Sequence, residues 1–143
     1  MCHLLVGRDG RVRLVDGADD SEGHVELLIL QTWGRVCDDW WDVMEGDVVC
    51  RQLGFKRAEN VYLESHFGTG NSSILWLDNL RCTGSEETLL ECSSNPVGLH
   101  NCNAVFESAG VRCTNKEAGV CCVCSVCCVC ELCVVCVSCV CCV

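Results

Sequence analysis

WGRVCDDWWDVMEGDVVCRQLG, residues Trp33 to Gly54, packs two cysteines, a cluster of carboxylates and a complete helix signal into one short span. Asp42 followed three residues later by Glu45 reads as a capping box: the Asp side chain accepts from the first free backbone N–H groups, and Glu45 reaches back to the cap. A helix is therefore expected to begin at Val43. Small or apolar residues recur at Gly46, Val49, Cys50 and Leu53, one face of a 3.6-residue period, and Gly54 stands where a left-handed C-terminal cap is wanted. That face should be buried, with Cys50 on it. Just ahead, Asp38, Asp39 and Asp42 crowd carboxylates beside the positive end of the helix dipole, where negative charge is tolerated and a bound cation would relieve their repulsion.

The chain around this span has 143 residues and a formal charge of −10, enough for one ordinary domain with a short appendage. Such a charge argues against nucleic acid or an anionic membrane surface as a direct, cation-free partner, because phosphate binding requires Lys and Arg to displace counterions. The 18 cysteines fall into two unlike populations: seven well spaced, from Cys2 to Cys113, and eleven within the last 23 residues. Six spaced cysteines over about a hundred residues suit a disulfide framework and an oxidising compartment. Zinc fits less well, since no CxxC or HxxxH pair occurs before residue 121. The opening MCHLLVGRDGRVRL has too short an apolar run for a signal peptide, so the expectation is a fragment of a longer extracellular protein or a misplaced start.

Reading outward, residues 11–15 (RVRLV) alternate as a short strand and stop at the acidic loop DGADDSEG. Residues 25–30 and 33–37 read as two strands joined by a Gln31-Thr32 turn, a hairpin that feeds the helix. Val61-Tyr62-Leu63 marks a further strand, and FGTGNSS (67–73) is a loop by composition. ILWL (74–77) has strand length, EETLLEC (86–92) the spacing of one or two helical turns, and GVRCT (110–114) returns as a last strand. Few strands, one good helix and long loops give a small α+β domain that needs disulfides as staples.

VRLVDG, EGHVE, WGRVCDDWWD, VVCRQLGF, FGTG, WLDNLRCTGSEETLLEC, HNC and ESAGVRC stand here in the order and spacing of a scavenger receptor cysteine-rich (SRCR) domain, and residues 10–114 resemble one. The resemblance implies a curved antiparallel sheet cradling one helix. Spacing alone leaves fifteen pairings of six cysteines open; the resemblance implies Cys37–Cys102, Cys50–Cys113 and Cys82–Cys92. Its subclass is the six-cysteine, group A-like one, because Phe55 and the region near Ser21 lack the two extra cysteines of the eight-cysteine form.

The resemblance further implies two sites for Ca²⁺ or Mg²⁺, one from Asp39, Asp42 and Glu107, the other from Asp38, Asp78, Asn79 and Asn101. Hard cations want several oxygen ligands, and three carboxylates overcompensate one divalent charge. A capped helix with solvated turns is the bland reading of the same acids. The sequence departs from the family pattern at Asn103-Ala104-Val105-Phe106 ahead of Glu107-Ser108-Ala109-Gly110, one residue longer than usual, which puts the reach of Glu107 in question. Trp41, Trp33 and Trp76 read as core. Trp40, beside the acids, is a packing residue or a ligand contact; Lys56 and Arg57, like Arg8, Arg11 and Arg13, are solvated charges or a docking point for polyanions. His66 and His100 have no partner at ligand spacing and read as structural. Asn71-Ser72-Ser73 is a glycosylation sequon on a loop.

No catalytic constellation emerges, and oxidised cysteines are not nucleophiles. The expected function is an extracellular binding module for polyanionic or protein ligands, secreted or membrane-anchored, working alone or in a tandem array. The alternative is an accessory domain of a larger secreted enzyme, a protease or an amine oxidase. Residues 1–9 form an N-terminal remnant and residues 115–143 a tail of almost only Cys and Val. The run from Ala118 to Val143 is long enough to span a bilayer, with Glu131 costing roughly 2–3 kcal/mol. Its thiols also suit a soft metal, and alternating Cys and Val is what a translated TG repeat encodes.

Overall fold

A computed structural model of the chain describes residues 9–69 and 74–118, together with the backbone of 121–124 and 139–142. Five strands and one helix follow in order: β1 (Val12–Asp16), β2 (Glu22–Ile29), β3 (Thr32–Val36), α1 (Val43–Gln52), β4 (Arg57–Tyr62) and β5 (Leu75–Leu77). A 3₁₀ turn at Leu89–Glu91 and strand β6 (Gly110–Thr114) complete the domain. The segment 86–92 thus holds a single 3₁₀ turn, and the hairpin turn is Leu30-Gln31, both with positive φ (48° and 62°), one residue earlier than expected. Two left-handed residues in a two-residue loop match the twist of the flanking strands.

Strand β2 is the axis of the sheet. One edge pairs with β1 along its length; the other is shared by β6 at Glu22–His24 and β3 at Glu26–Ile29. The order is β4-β6-β2-β3-β5, and β3 runs parallel to β5, so the sheet is mixed where an antiparallel one was expected. Val25, Leu27 and Ile29 point into the core with Val36, Val48, Val49, Leu77, Leu80, Leu89 and Val111. The alternate positions Glu22, His24 and Glu26 are buried as well. They are tolerated because each has a partner on a neighbouring strand: Glu22 with Arg112, His24 with Asp16, and Glu26 with Arg13.

Helix α1 starts where the capping box places it. Asp42 Oδ1 accepts the Met44 N–H at 2.7 Å and Glu45 Oε2 accepts the Asp42 N–H at 2.9 Å. It ends in a Schellman motif, with Gly54 at φ +90° and Phe55 N–H donating to Cys50 O at 2.9 Å. The buried face is Glu45, Gly46, Val48, Val49 and Cys50, wider than the periodicity indicated. Gly46 lets the helix lie close on the sheet, since a Cβ there would stand 2.7 Å from Val61 Cγ1 and 3.0 Å from Ala58 Cβ.

Three disulfides join Cys37 to Cys102, Cys50 to Cys113 and Cys82 to Cys92, the pairing implied by the resemblance. Cys50–Cys113 bolts the helix to β6, and Cys37–Cys102 ties the end of β3 to the loop before β6. In chain-entropy terms the two long-range bridges contribute about 4 kcal/mol each and the short one about 3 kcal/mol. Of the tail, Cys121–Cys124 (β7) pairs antiparallel with Cys139–Cys142 (β8). The other readings of residues 118–143 rest largely on residues outside the described ones, as do Cys2, Arg8 and the Asn71 sequon. Among the described residues no helix is long and apolar enough to cross a membrane.

Candidate functional site

The end of β3 delivers Cys37, Asp38 and Asp39 to the mouth of α1, and the Cys37–Cys102 bridge pulls the 95–107 loop against them. Cys102 Sγ lies 3.3 Å from Asp78 Oδ1, 3.5 Å from Asp39 Oδ2 and 3.7 Å from Asn101 Oδ1. An oxidised sulfur has no hydrogen to donate, so three oxygens converge on it without a proton between them. Side-chain oxygens of Asp39 and Asp78 lie within 4.8 Å of each other. Burial, followed by the charges of Asp78, Asp38 and Glu107, raises the Asp39 carboxyl above its ordinary pKa.

Of the two implied ligand sets, the structure brings Asp39 and Asp78 together, with Asp38 and Glu107 within electrostatic reach. Asp39, assigned with Asp42 and Glu107, stands with Asp78 and Asn101. Asp42 spends Oδ1 on the helix cap. Asp38 Oδ2 accepts the Glu64 N–H at 2.5 Å. Asp78 is buried and accepts from the Asn79 N–H (2.7 Å) and Asn95 Nδ2 (3.2 Å). Asn79 itself sits at φ +52°. Glu107 stays within electrostatic reach despite the extra residue in its loop. Its Oε2 accepts the Asn103 N–H at 2.6 Å, and its carbonyl accepts the Asp38 N–H at 3.2 Å. Both sulfurs nearby are oxidised, which leaves an all-oxygen donor set, and such a set fits a hard divalent cation and not a soft one.

Trp40 adjoins the rim at φ +66°, a conformation a bulky side chain avoids, and is 63% exposed. The Arg81 guanidinium stacks on its ring at 4.2 Å from the centroid. Arg81 carried no signal in the sequence, because it lies 41 positions beyond Trp40. Lys56 and Arg57 hold the exit of the domain: Lys56 pairs with the Glu117 carboxylate, while Arg57 Nε and Nη2 donate to the carbonyls of Lys116 and Glu117 at 3.1 and 3.2 Å. Trp41 is core, its indole N–H donating to Gly110 O at 2.9 Å. Trp33 is not: it is half-buried under the guanidinium groups of Arg13 (4.3 Å) and Arg11 (5.8 Å). Trp76 is half-buried against the core. His66 stacks on Tyr62 at 4.3 Å, and His100 Nδ1 lies 3.1 Å from Cys102 O.

Sequence reasoning missed a polar unit behind the sheet. His24, fully buried, places Nδ1 3.1 Å from Asp16 Oδ2, and the same oxygen receives Arg35 Nη2 at 2.6 Å. Phe67 N–H donates to His24 Nε2 at 3.2 Å. The signal that could have found it is the run Glu22, His24, Glu26 at alternate positions of an apolar strand, flanked by strands bearing Arg13, Asp16 and Arg35.

Residues 15–114 match the family model of the scavenger receptor cysteine-rich domain. Among solved structures, the third SRCR domain of murine neurotrypsin is 41% identical, with a TM-score of 0.64, covering 74% of this chain and 97% of that one. The SRCR domain of mouse MARCO, in its dimeric form, is 40% identical with a TM-score of 0.59, covering 73% and 95%.

Proposed function

The chain belongs to the SRCR domain family, and from that membership we propose an extracellular ligand-binding module whose acidic rim takes Ca²⁺ or Mg²⁺ and presents it to a ligand's carboxylate, sulfate or phosphate. The observation that carries the reading is the Asp39–Asp78 pair. Two carboxylates within 4.8 Å, backed by Asp38 and Glu107, repel one another until a counter-charge arrives. Residues through Asn115 include 18 acids and 9 bases, so a polyanion meets net repulsion unless the local charge is inverted. Trp40, exposed and stacked by Arg81, supplies an apolar and cationic flank for the same ligand. Three disulfides and the family's character support an extracellular setting.

A second reading draws on the surface around Trp33. Arg11 and Arg13 share the ring of Trp33, a cationic strip that could hold a polyanion without a metal. Calorimetric titration with CaCl₂ separates the two. The acidic-rim reading expects Kd of about 10⁻⁴–10⁻³ M, the range of extracellular Ca²⁺ modules, weakened at least about tenfold by Asp39→Asn. Capture of the chain on a dextran sulfate surface should then require Ca²⁺ and fail with chelator. Capture that ignores chelator and Asp39→Asn but disappears with Arg13→Ala would move the function to the Trp33 strip.

A further inference from the structure

Residues 63–68, which follow β4, form a compact turn closed by its own bonds, His66 N–H to Leu63 O (3.2 Å) and Gly68 N–H to Ser65 O (2.8 Å). Two consecutive residues in it, Glu64 and Ser65, hold positive φ of 54° and 49°, conformations that side-chain-bearing residues avoid, so the turn persists only because its surroundings hold it. Three ties do so. Ser65 and Ser108 exchange neutral bonds at 3.1 and 3.3 Å. Glu64 N–H donates to Asp38 Oδ2 at 2.5 Å, and Phe67 N–H donates to His24 Nε2 at 3.2 Å.

The last tie depends on protonation. A ring that accepts at Nε2 must carry its proton on Nδ1, where Asp16 receives it, so the bonds on both sides of His24 select one neutral tautomer. We propose that residues 63–68 are an acid-released strap: proton uptake at His24 Nε2 puts a donor where the Phe67 N–H needs an acceptor, and the strap lifts, withdrawing the Glu64 N–H from the Asp38 carboxylate. The groups facing the ring are Asp16 from β1, Arg35 from β3, and the strap itself, whose Ser65 carbonyl lies near the ring and whose His66 and Phe67 pack with Tyr62 of β4. Strand β6 offers Gly110 opposite His24, and its Arg112 is held by Glu22. Burial lowers the pKa of His24; Asp16 opposes, Arg35 assists and Ser65 opposes weakly, and the net shift favours the neutral ring. The sign follows. With the folded pKa below the ordinary histidine value, the latch is fully held above about pH 6.5 and is lost as the pH falls from there towards the lowered value.

The test uses the full ¹⁵N-labelled chain with its disulfides formed. Hydrogen-exchange protection factors are measured from pH 7 to 4.5 alongside the His24 ring nitrogen shifts. Phe67 and Glu64 amides should lose protection together, by up to about tenfold per pH unit between about pH 6.5 and the His24 midpoint and levelling off below it, while Leu28 and Cys37 amides hold. His24→Gln keeps an acceptor near the Nε2 position and cannot take up the proton, so its Phe67 protection should stay flat. Flat protection in the wild type as His24 titrates, or an equal acid loss in His24→Gln, overturns the strap. Should His24→Gln fail to fold, the wild-type midpoints decide: coincidence of ring titration with Phe67 release supports the proposal, and their separation refutes it.

Discussion

Replacing Glu45 tests the joint on which the acidic rim is mounted. This residue is 2% exposed, and its two oxygens serve two parts of the domain: Oε2 accepts the Asp42 N–H at 2.9 Å and Oε1 the Cys82 N–H at 2.6 Å. It thereby locks the start of α1 to the Cys82–Cys92 loop, next to Arg81. Hydrogen bonds to a charged group contribute about 1.5–3 kcal/mol each. The Asp42 bond belongs at the low end, because that residue is exposed and water replaces the acceptor; the Cys82 bond belongs higher. Burial opposes both, raising the pKa of Glu45 despite the lowering by the Cys82 and Asp42 N–H groups. Glu45→Ala is therefore expected to lose about 3 kcal/mol, a roughly hundredfold shift in the folding equilibrium. With a urea m-value of about 2 kcal/mol/M, tryptophan fluorescence should show a midpoint about 1.5 M lower with the disulfides intact. Glu45→Gln keeps one acceptor and carries no charge to bury, so about 1 kcal/mol is expected. A loss under about 1 kcal/mol for alanine, or equal losses for the two variants, would refute the reasoning.

Asp42 separates cap from ligand: Asp42→Asn should keep most of the stability, because asparagine also caps, while Asp42→Ala loses about 1 kcal/mol in the same unfolding assay. If Ca²⁺ titration finds Asp42→Asn binding as tightly as the wild type, Asp42 is a cap alone and the cation belongs to Asp39 and Asp78. Gly46→Ala gains about 1 kcal/mol in helix propensity but drives a methyl to 2.7 Å from Val61 Cγ1, an overpacking of about 1–3 kcal/mol; a net loss is expected, and a stabilised variant would show that the helix can withdraw from the sheet without penalty.

Local chemistry alone determined much of this protein. The capping box fixed the first turn of α1 because its bonds lie within four residues, and Gly54 fixed the last because a left-handed cap needs no distant partner. Alternation marked β1 and short apolar runs marked other strands, while the disulfide pairing came from the family resemblance that the ordered motifs carry, because spacing alone leaves fifteen pairings open. Tertiary structure decided whatever depends on groups distant in sequence. The β3–β5 pairing is parallel, with α1 and β4 standing between the two strands in the chain, and no local strand pattern encodes it. Trp33 left the core because Arg13 of β1 and the preceding Arg11 cover it, and Lys56 and Arg57 are occupied by residues 116–117, about sixty positions away. Asp39 stands beside Asp78 because β3 pairs with β5, with Cys37 N–H donating to Leu77 O at 2.9 Å, and burial together with like charge then raised its pKa. Burial and three-dimensional proximity of charge are sums over the folded neighbourhood, so no local window of sequence contains them.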